Sequence, residues 1–547
     1  MVSAHPVPSR PASPGPTRRN LISGAAAAVA LSAVTAPPAG VAQAATGRAW
    51  VPYVVTARDT ATSATRPLHE FRGLWVATVL NIDWPSRPGL SVTQQRAELG
   101  ELIRLAALRG CNAVLLQVRA AGDRFYRSTL GEPWSRYLTG TLGQDPGWDP
   151  LEWAVAEASR RGLEVHAWAN PFRVAMDTSL TSLYPGSFAA RNPSFTYAYG
   201  GRRYLDPGRP EVRLHVRAVL AEIAARYGVA GVHLDDYFYP YPAAGQVIGD
   251  DASFARYGAG RTRATWRRDN VNRFVRYAGL DVHAADRRAV FSVSPFGIWR
   301  NRSSSTAGSD TAGLQAYDDL YADTRLWLRE QWTDLFIPQL YWQQGHPTAD
   351  YDVLSRWWSL QGTVTRTHVA LGEAVYKVGD AGWTNPAELS NHVALGRRLT
   401  QGEGNAYYNA SAVRADELGA MSRVRSAHYQ RRALPLPVRW LNAARPPSPA
   451  FTRAGRTTTG LTLEWTLPAG AEPARWIAIW RQRAYSATIP ALPGTAEDLL
   501  AVLPAVTGTR RWGDLTAEPR RRYWYVIQAV SRTGTVAAAG SAIMVWA

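Results

Sequence analysis

The chain has 547 residues, 46% hydrophobic, 11% aromatic and 19% charged, which is enough apolar material for full cores and excludes a wholly disordered protein. The formal net charge is +18, but Lys377 is the one lysine among 61 Lys and Arg, and the arginines are scattered rather than gathered in an arm, so no nucleic-acid partner is expected. The single cysteine, Cys111, excludes an internal disulfide and a Cys-rich zinc site, and its apolar surroundings predict a buried structural thiol.

Residues 1–44 read as a twin-arginine signal peptide. Arg18-Arg19 precedes an Ala-rich apolar run from Ala25 to Ala36, then the small-x-small site Ala42-Gln43-Ala44. The run is too short to span a bilayer, and no later stretch offers about 20 uncharged apolar residues. A secreted or wall-associated protein, free of a transmembrane anchor once the signal is cut, is therefore expected. Residues 45–66 read as a linker.

From residue 67 short apolar runs alternate with amphipathic ones. The predicted strands are Phe71–Val79, Ala113–Arg119, Glu164–Asn170, Gly231–Tyr237, Val290–Phe296, Leu335–Trp342, His368–Val375 and Gly404–Asn409. Helical patterns lie at Leu99–Leu108, Leu151–Ser159, Val212–Tyr227, Trp266–Tyr277, Asp319–Glu330, Tyr351–Leu360, Glu388–Leu395 and Ala415–Val424. This alternation over residues 67–430 predicts an α/β fold, a (β/α)8 TIM barrel. Residues 431–449 are Pro-rich and read as a linker. Beyond them, alternating runs such as Leu461–Trp465, Trp476–Trp480 and Tyr523–Val530 predict a small all-β sandwich over 450–547. With Trp465 upstream, Tyr525–Gly534 resembles a fibronectin type III module.

In a barrel the strand C-terminal ends converge on one mouth. Those ends carry Trp75, Arg119, His166, Trp168, Asn170, His233, Asp235, Asp236, Tyr237, Tyr239, Gln339, Trp342, Glu373 and Tyr376. Period two puts His233 and Asp235 on one face of strand four, with Asp236 turned the other way or at the bend. Glu373 stands at the end of strand seven, across the mouth. Two carboxylates facing across a cleft suit glycosidic cleavage, one protonating the leaving oxygen and the other serving as nucleophile or base. Asp235, Asp236 and Glu373 are the candidate catalytic residues. The remaining polar and aromatic residues are candidates for binding sugar rings and hydroxyls. His166, His233 and Asp235 offer an alternative reading as a facial ligand set of a metal-dependent hydrolase such as a deacetylase. A non-catalytic glycan-binding wall protein is the other alternative. The favoured reading needs no cofactor and no metal, takes a polysaccharide as partner and expects a monomer.

The mouth residues also lie in a set of ordered motifs. These are Glu70–Val76, Asn112–Arg119 with Asp123, His166–Pro171, Tyr204–Gly208, His233–Pro240, Ser292–Gly297, Tyr321–Thr324 and Pro338–Trp342. Over roughly residues 68–425 the chain resembles the glycosyl-hydrolase-like ten family, bacterial exported barrel proteins. The resemblance implies a (β/α)8 barrel acting on glycans, with peptidoglycan strands stripped of their peptides as the substrate of some members. It points to Asp235 and Asp236 by position only, and Glu373 matches in place the strand-seven nucleophile of the common barrel glycosidase plan.

Overall fold

A computed structural model describes residues 67–547, except 442, 459, 486–495 and 539. The expected signal peptide and the 45–66 linker lie outside the described residues.

Eight parallel staves form the barrel. They are β1 (Phe71–Val76), β2 (Ala113–Arg119), β3 (Glu164–Ala169), β4 (Gly231–Leu234), β5 (Val290–Val293), β6 (Leu335–Phe336), β7 (His368–Val369 and Leu371–Ala374) and β8 (Gly404–Tyr408). Neighbours pair in chain order, and β1 also pairs β8. The seventh stave breaks at Ala370. Its first half pairs β6 and its second half pairs β8, which closes the ring. Every described residue of β1, β2, β3, β4 and β8 is buried, as staves packed on both faces require.

Local signals set the helices between the staves. Val92–Leu108 starts at a reciprocal capping box between Ser91 and Gln94. Pro150–Ser159 has Asp149 as its cap and Pro150 in its first turn. Pro210–Tyr227 stops at Gly228, whose φ of 57° favours a residue without a Cβ. The pattern read as one helix over Ala415–Val424 is instead two, Ala410–Ala415 and Ala420–Ala427, separated by left-handed residues at Asp416, Leu418 and Gly419. Side-chain periodicity does not register that break.

The C-terminal strands form two antiparallel sheets. One holds Ala450–Thr457, Gly460–Leu467 and Gly508–Asp514, and the other Leu499–Pro504, Ala474–Arg483, Arg522–Ser531 and Ser541–Trp546. Trp465, Trp476, Trp480 and Tyr525 fill the space between them. This sandwich sits on the N-terminal ends of the staves. Arg288 pairs Glu472 at 2.8 Å, Arg532 pairs Asp286, and Val438 donates its N–H to Thr533 O at 2.8 Å. Residues 431–449 run along this floor, with Leu434 buried and His368 Nε2 against Pro437 O at 2.6 Å. The mouth at the other end is left clear of the sandwich. Among the described residues, no helix is long and apolar enough to cross a membrane.

Candidate active site

Period two sorts β4 from floor to mouth. Gly231, His233 and Asp235 face inward in successive layers, about 7 Å apart along the strand. Each layer has its own neighbours. Gly231 pairs His166, and a Cβ there would come within 2.5 Å of the His166 ring, so the glycine makes room for a floor histidine. His233 pairs Trp168. Its Nε2 accepts from Trp75 Nε1 at 3.2 Å, and its Nδ1 meets Ser292 Oγ at 2.9 Å. Asp235 follows where the chain leaves the ladder.

Asp235 and Asp236 turn to opposite sides of the β4 end. Asp235 leans toward β3, its Oδ2 accepting from Trp168 Nε1 at 3.3 Å and from Asn170 Nδ2. Its Oδ1 is buried without a hydrogen-bond partner among the described residues. Asp236 leans toward β6, its Oδ1 accepting from Gln339 Nε2 at 3.0 Å and its Oδ2 from the Tyr241 hydroxyl. Burial, then the neighbouring Asp236 charge, raises the Asp235 pKa well above the carboxylate range, against the pull of Arg173. Burial also lifts Asp236, to about 6, although Tyr241 and Gln339 hold it down. Burial thus favours the protonated form of both acids, and the neighbouring charge adds to it at Asp235.

Aromatic rings line the mouth around this pair. Tyr408, at the end of β8, is the hub, with ring centres 6.1 Å from Trp75, 6.4 Å from Trp168, 6.2 Å from Tyr341 and 5.9 Å from Tyr376. On the other side Tyr237 stacks obliquely on Tyr241 at 4.5 Å, and Phe296 bridges Tyr241 and Trp342. Gln339, Tyr341, Trp342 and Tyr376 are half-buried and reach the surface, whereas Trp75 is 2% exposed and lies deeper.

The structure thus gathers Trp75, Trp168, Asn170, Asp235, Asp236, Tyr237, Gln339, Trp342 and Tyr376 at one end of the barrel. It places five other candidates elsewhere. Glu373 does not face Asp235. Its register partner Tyr407 points away from the barrel axis toward Tyr429, and Glu373 shares that outer face. There it accepts from Tyr351 Oη and Asn405 Nδ2, both at 2.6 Å, and meets His392 Nδ1 at 2.8 Å. One residue of strand phase turns it from the cleft to the helix layer. His166 lies in the floor layer, 5.5 Å from Phe71, and burial lowers its pKa to about 4. His233 spends both ring nitrogens inside the barrel. Tyr239 is wholly buried behind the mouth, 5.5 Å from Tyr321 and under Arg267. Arg119 is locked onto Glu132 and reaches the site by donating to Asn170 O at 3.3 Å. His166, His233 and Asp235 occupy successive layers and do not converge on a point, so the facial ligand set is not formed. No group of three or more metal-ligating side chains occurs among the described residues.

Tyr408, Tyr241 and Gln117 belong to the site and were not among the sequence candidates. Tyr408 shares the inward phase of Gly404 and Ala406, so carrying period two along strand eight would have found it. Gln117 likewise shares the inward phase of Ala113 and Leu115 on β2, and the ladder shifts register only beyond it, before Arg119. Tyr241 lies in a loop and had no periodic signal.

The sequence pattern of the glycosyl hydrolase-like 10 family matches residues 70–389. The chain belongs to this family. Among its relatives is the glycosyl hydrolase YngK of Bacillus subtilis, 37% identical over 470 residues, 85% of this chain and 91% of that one. Glycosyl hydrolase DigH of Escherichia coli K12 is 38% identical over 338 residues, 58% of this chain and 76% of that one. Among solved structures, the PgaB glycoside hydrolase domain of Bordetella bronchiseptica aligns with 66% of this chain and 99% of its own, at 14% identity and a TM-score of 0.42. The glycosyl hydrolase-like 10 match takes in β1 to β7 and so contains Asp235 and Asp236.

Proposed function

We propose that the chain is an exported glycoside hydrolase that cuts a cell-wall glycan, with Asp235 and Asp236 as its acid–base pair. The observation that carries this reading is a pair of adjacent buried carboxylates with different partners in a ring-lined mouth, one with an oxygen that no donor meets and the other with both oxygens bonded. Glycosidic cleavage needs one carboxyl that keeps its proton at neutral pH and one that does not. Asp235 is the general acid. Asp236, held charged by Tyr241 and Gln339, is the base or the counter-charge to the developing oxocarbenium ion. Trp168, Tyr341, Trp342, Tyr376 and Tyr408 offer faces for the apolar sides of sugar rings. The relatives named as glycosyl hydrolases support glycan chemistry. The Arg18-Arg19 leader supports export, and a wall glycan is the polysaccharide an exported bacterial-type enzyme meets. The sandwich, seven strands among the described residues, is read as a fibronectin type III-like module that spaces or attaches the barrel.

The test is to incubate the mature chain, Asp235→Asn and Asp236→Asn with peptidoglycan strands lacking peptides, and to weigh the products. Cleavage by the parent chain with a new reducing end, lost in both variants, is expected. Full cleavage by both variants would remove the assignment.

A further inference from the structure

The oxygen and nitrogen of a buried amide are told apart by their partners. For Gln117 the partners are decisive. Its Oε1 accepts the backbone N–H of Thr78 and of Val79, both at 2.8 Å, from the loop after β1. Backbone N–H groups only donate, so this atom is the oxygen. Its Nε2 must then point at Asn170, and it donates to Asn170 Oδ1 at 2.6 Å. That contact fixes the second amide in turn. With Oδ1 taken, Asn170 presents Nδ2 to Asp235 Oδ2. Gln117 and Asn170 are each 1% exposed, so water does not blur this polarity.

We propose that Gln117 is a positioning residue that acts through Asn170 to decide which oxygen of Asp235 accepts and which carries the proton. Two N–H donors, Asn170 and Trp168, converge on Oδ2, so a proton on that oxygen would meet donors rather than acceptors. The proton is left to Oδ1. Other ionisable groups facing Asp235 are Asp236 on its own loop, Arg173 beyond β3, Tyr237 on the β4 loop and Tyr408 on β8. Gln117 hydrogen-bonds none of them, and Asn170 is the residue that links its side chain to Asp235. The inference rests on the proposed function only in taking Asp235 as a working group. The direction of the relay is independent of substrate.

Gln117→Glu is the sharp test. A carboxylate keeps the two backbone donors but offers Asn170 an acceptor where a donor stood. Asn170 then turns its Nδ2 to the introduced carboxylate and its Oδ1 to Asp235 Oδ2, which now favours the protonated acid. The readout is the carboxyl 13C signal of Asp235 in the full chain, assigned by its loss in Asp235→Asn and followed against pH. Gln117→Glu should move the Asp235 titration upward by about one pH unit or more. Gln117→Met, which removes the anchor without reversing it, should move it the same way by less, and it decides alone if Gln117→Glu does not fold. An unchanged Asp235 titration in folded variants overturns the relay. This measurement needs no glycan, so inactivity of the parent chain would count against the proposed function and leave the relay standing. Where a glycan is cut, the ionisation seen in kcat/KM should move with the carbon signal.

Discussion

Asp235 and Glu373 are both acids at the C-terminal ends of staves, and both are buried. They differ in how their oxygens are used. Glu373 is saturated by Tyr351, Asn405 and His392. Burial opposes a charge on His392, but Glu373 and Glu388 on its two sides outweigh burial and raise its pKa. The group is a strut tying β7 to the helices outside. Asp235 has one oxygen crowded by donors and one with no partner among the described residues. A buried acid left half-satisfied costs stability, and such groups persist where chemistry needs them.

Exchanging these two acids for neutral groups should separate the roles. Asp235→Asn is expected to lower kcat about 10²- to 10⁴-fold, the usual share of a general acid, with a melting temperature equal to or above that of the parent. Glu373→Ala should do the reverse. It leaves the buried Tyr351 hydroxyl, Asn405 Nδ2 and His392 Nδ1 without their shared acceptor, costs about 3–5 kcal/mol in urea unfolding, and leaves activity per folded molecule near the parent's. A matching loss of activity there would erase the contrast. The acid limb of the pH–rate profile sharpens it further. Burial lifts Asp236 to about 6, so the parent's rate should fall about tenfold per pH unit below that value.

Smaller effects belong to the floor. Burial raises Glu164 from 4.5 to about 7, with Arg475 pulling it back. A carboxyl whose folded pKa is raised adds stability that is full below pH 4.5 and lost as pH rises through 7. Glu164→Gln should remove that slope, of order 1–3 kcal/mol between pH 4.5 and 7, from a stability-versus-pH curve. Arg288→Ala, which breaks the partly exposed pair with Glu472, should cost only about 0.5–1 kcal/mol.

The barrel was legible in the sequence because parallel staves are continuously apolar and their spacing repeats. The strand-four acids were legible for the same reason, since alternation from His233 carries Asp235 inward. Glu373 was misread because position at a strand end says nothing of phase. On a stave broken at Ala370, phase depends on pairing with Tyr407 across the sheet. His166 was misread by height rather than phase: it faces inward, but two residues too near the floor. Tyr408 and Gln117 were recoverable by carrying the same alternation further. Tyr241 was not, because only the folded loop brings it to Asp236.

The seating of the sandwich on the floor has one mechanical result. A load applied to its outer faces is carried through Arg288, Arg532 and the 431–449 segment into the floor end of the staves, the part of the barrel remote from Asp235 and Asp236. Under the proposed function, a polymer held by the sandwich and a polymer cut at the mouth would be different stretches of material, so holding on would not obstruct turnover.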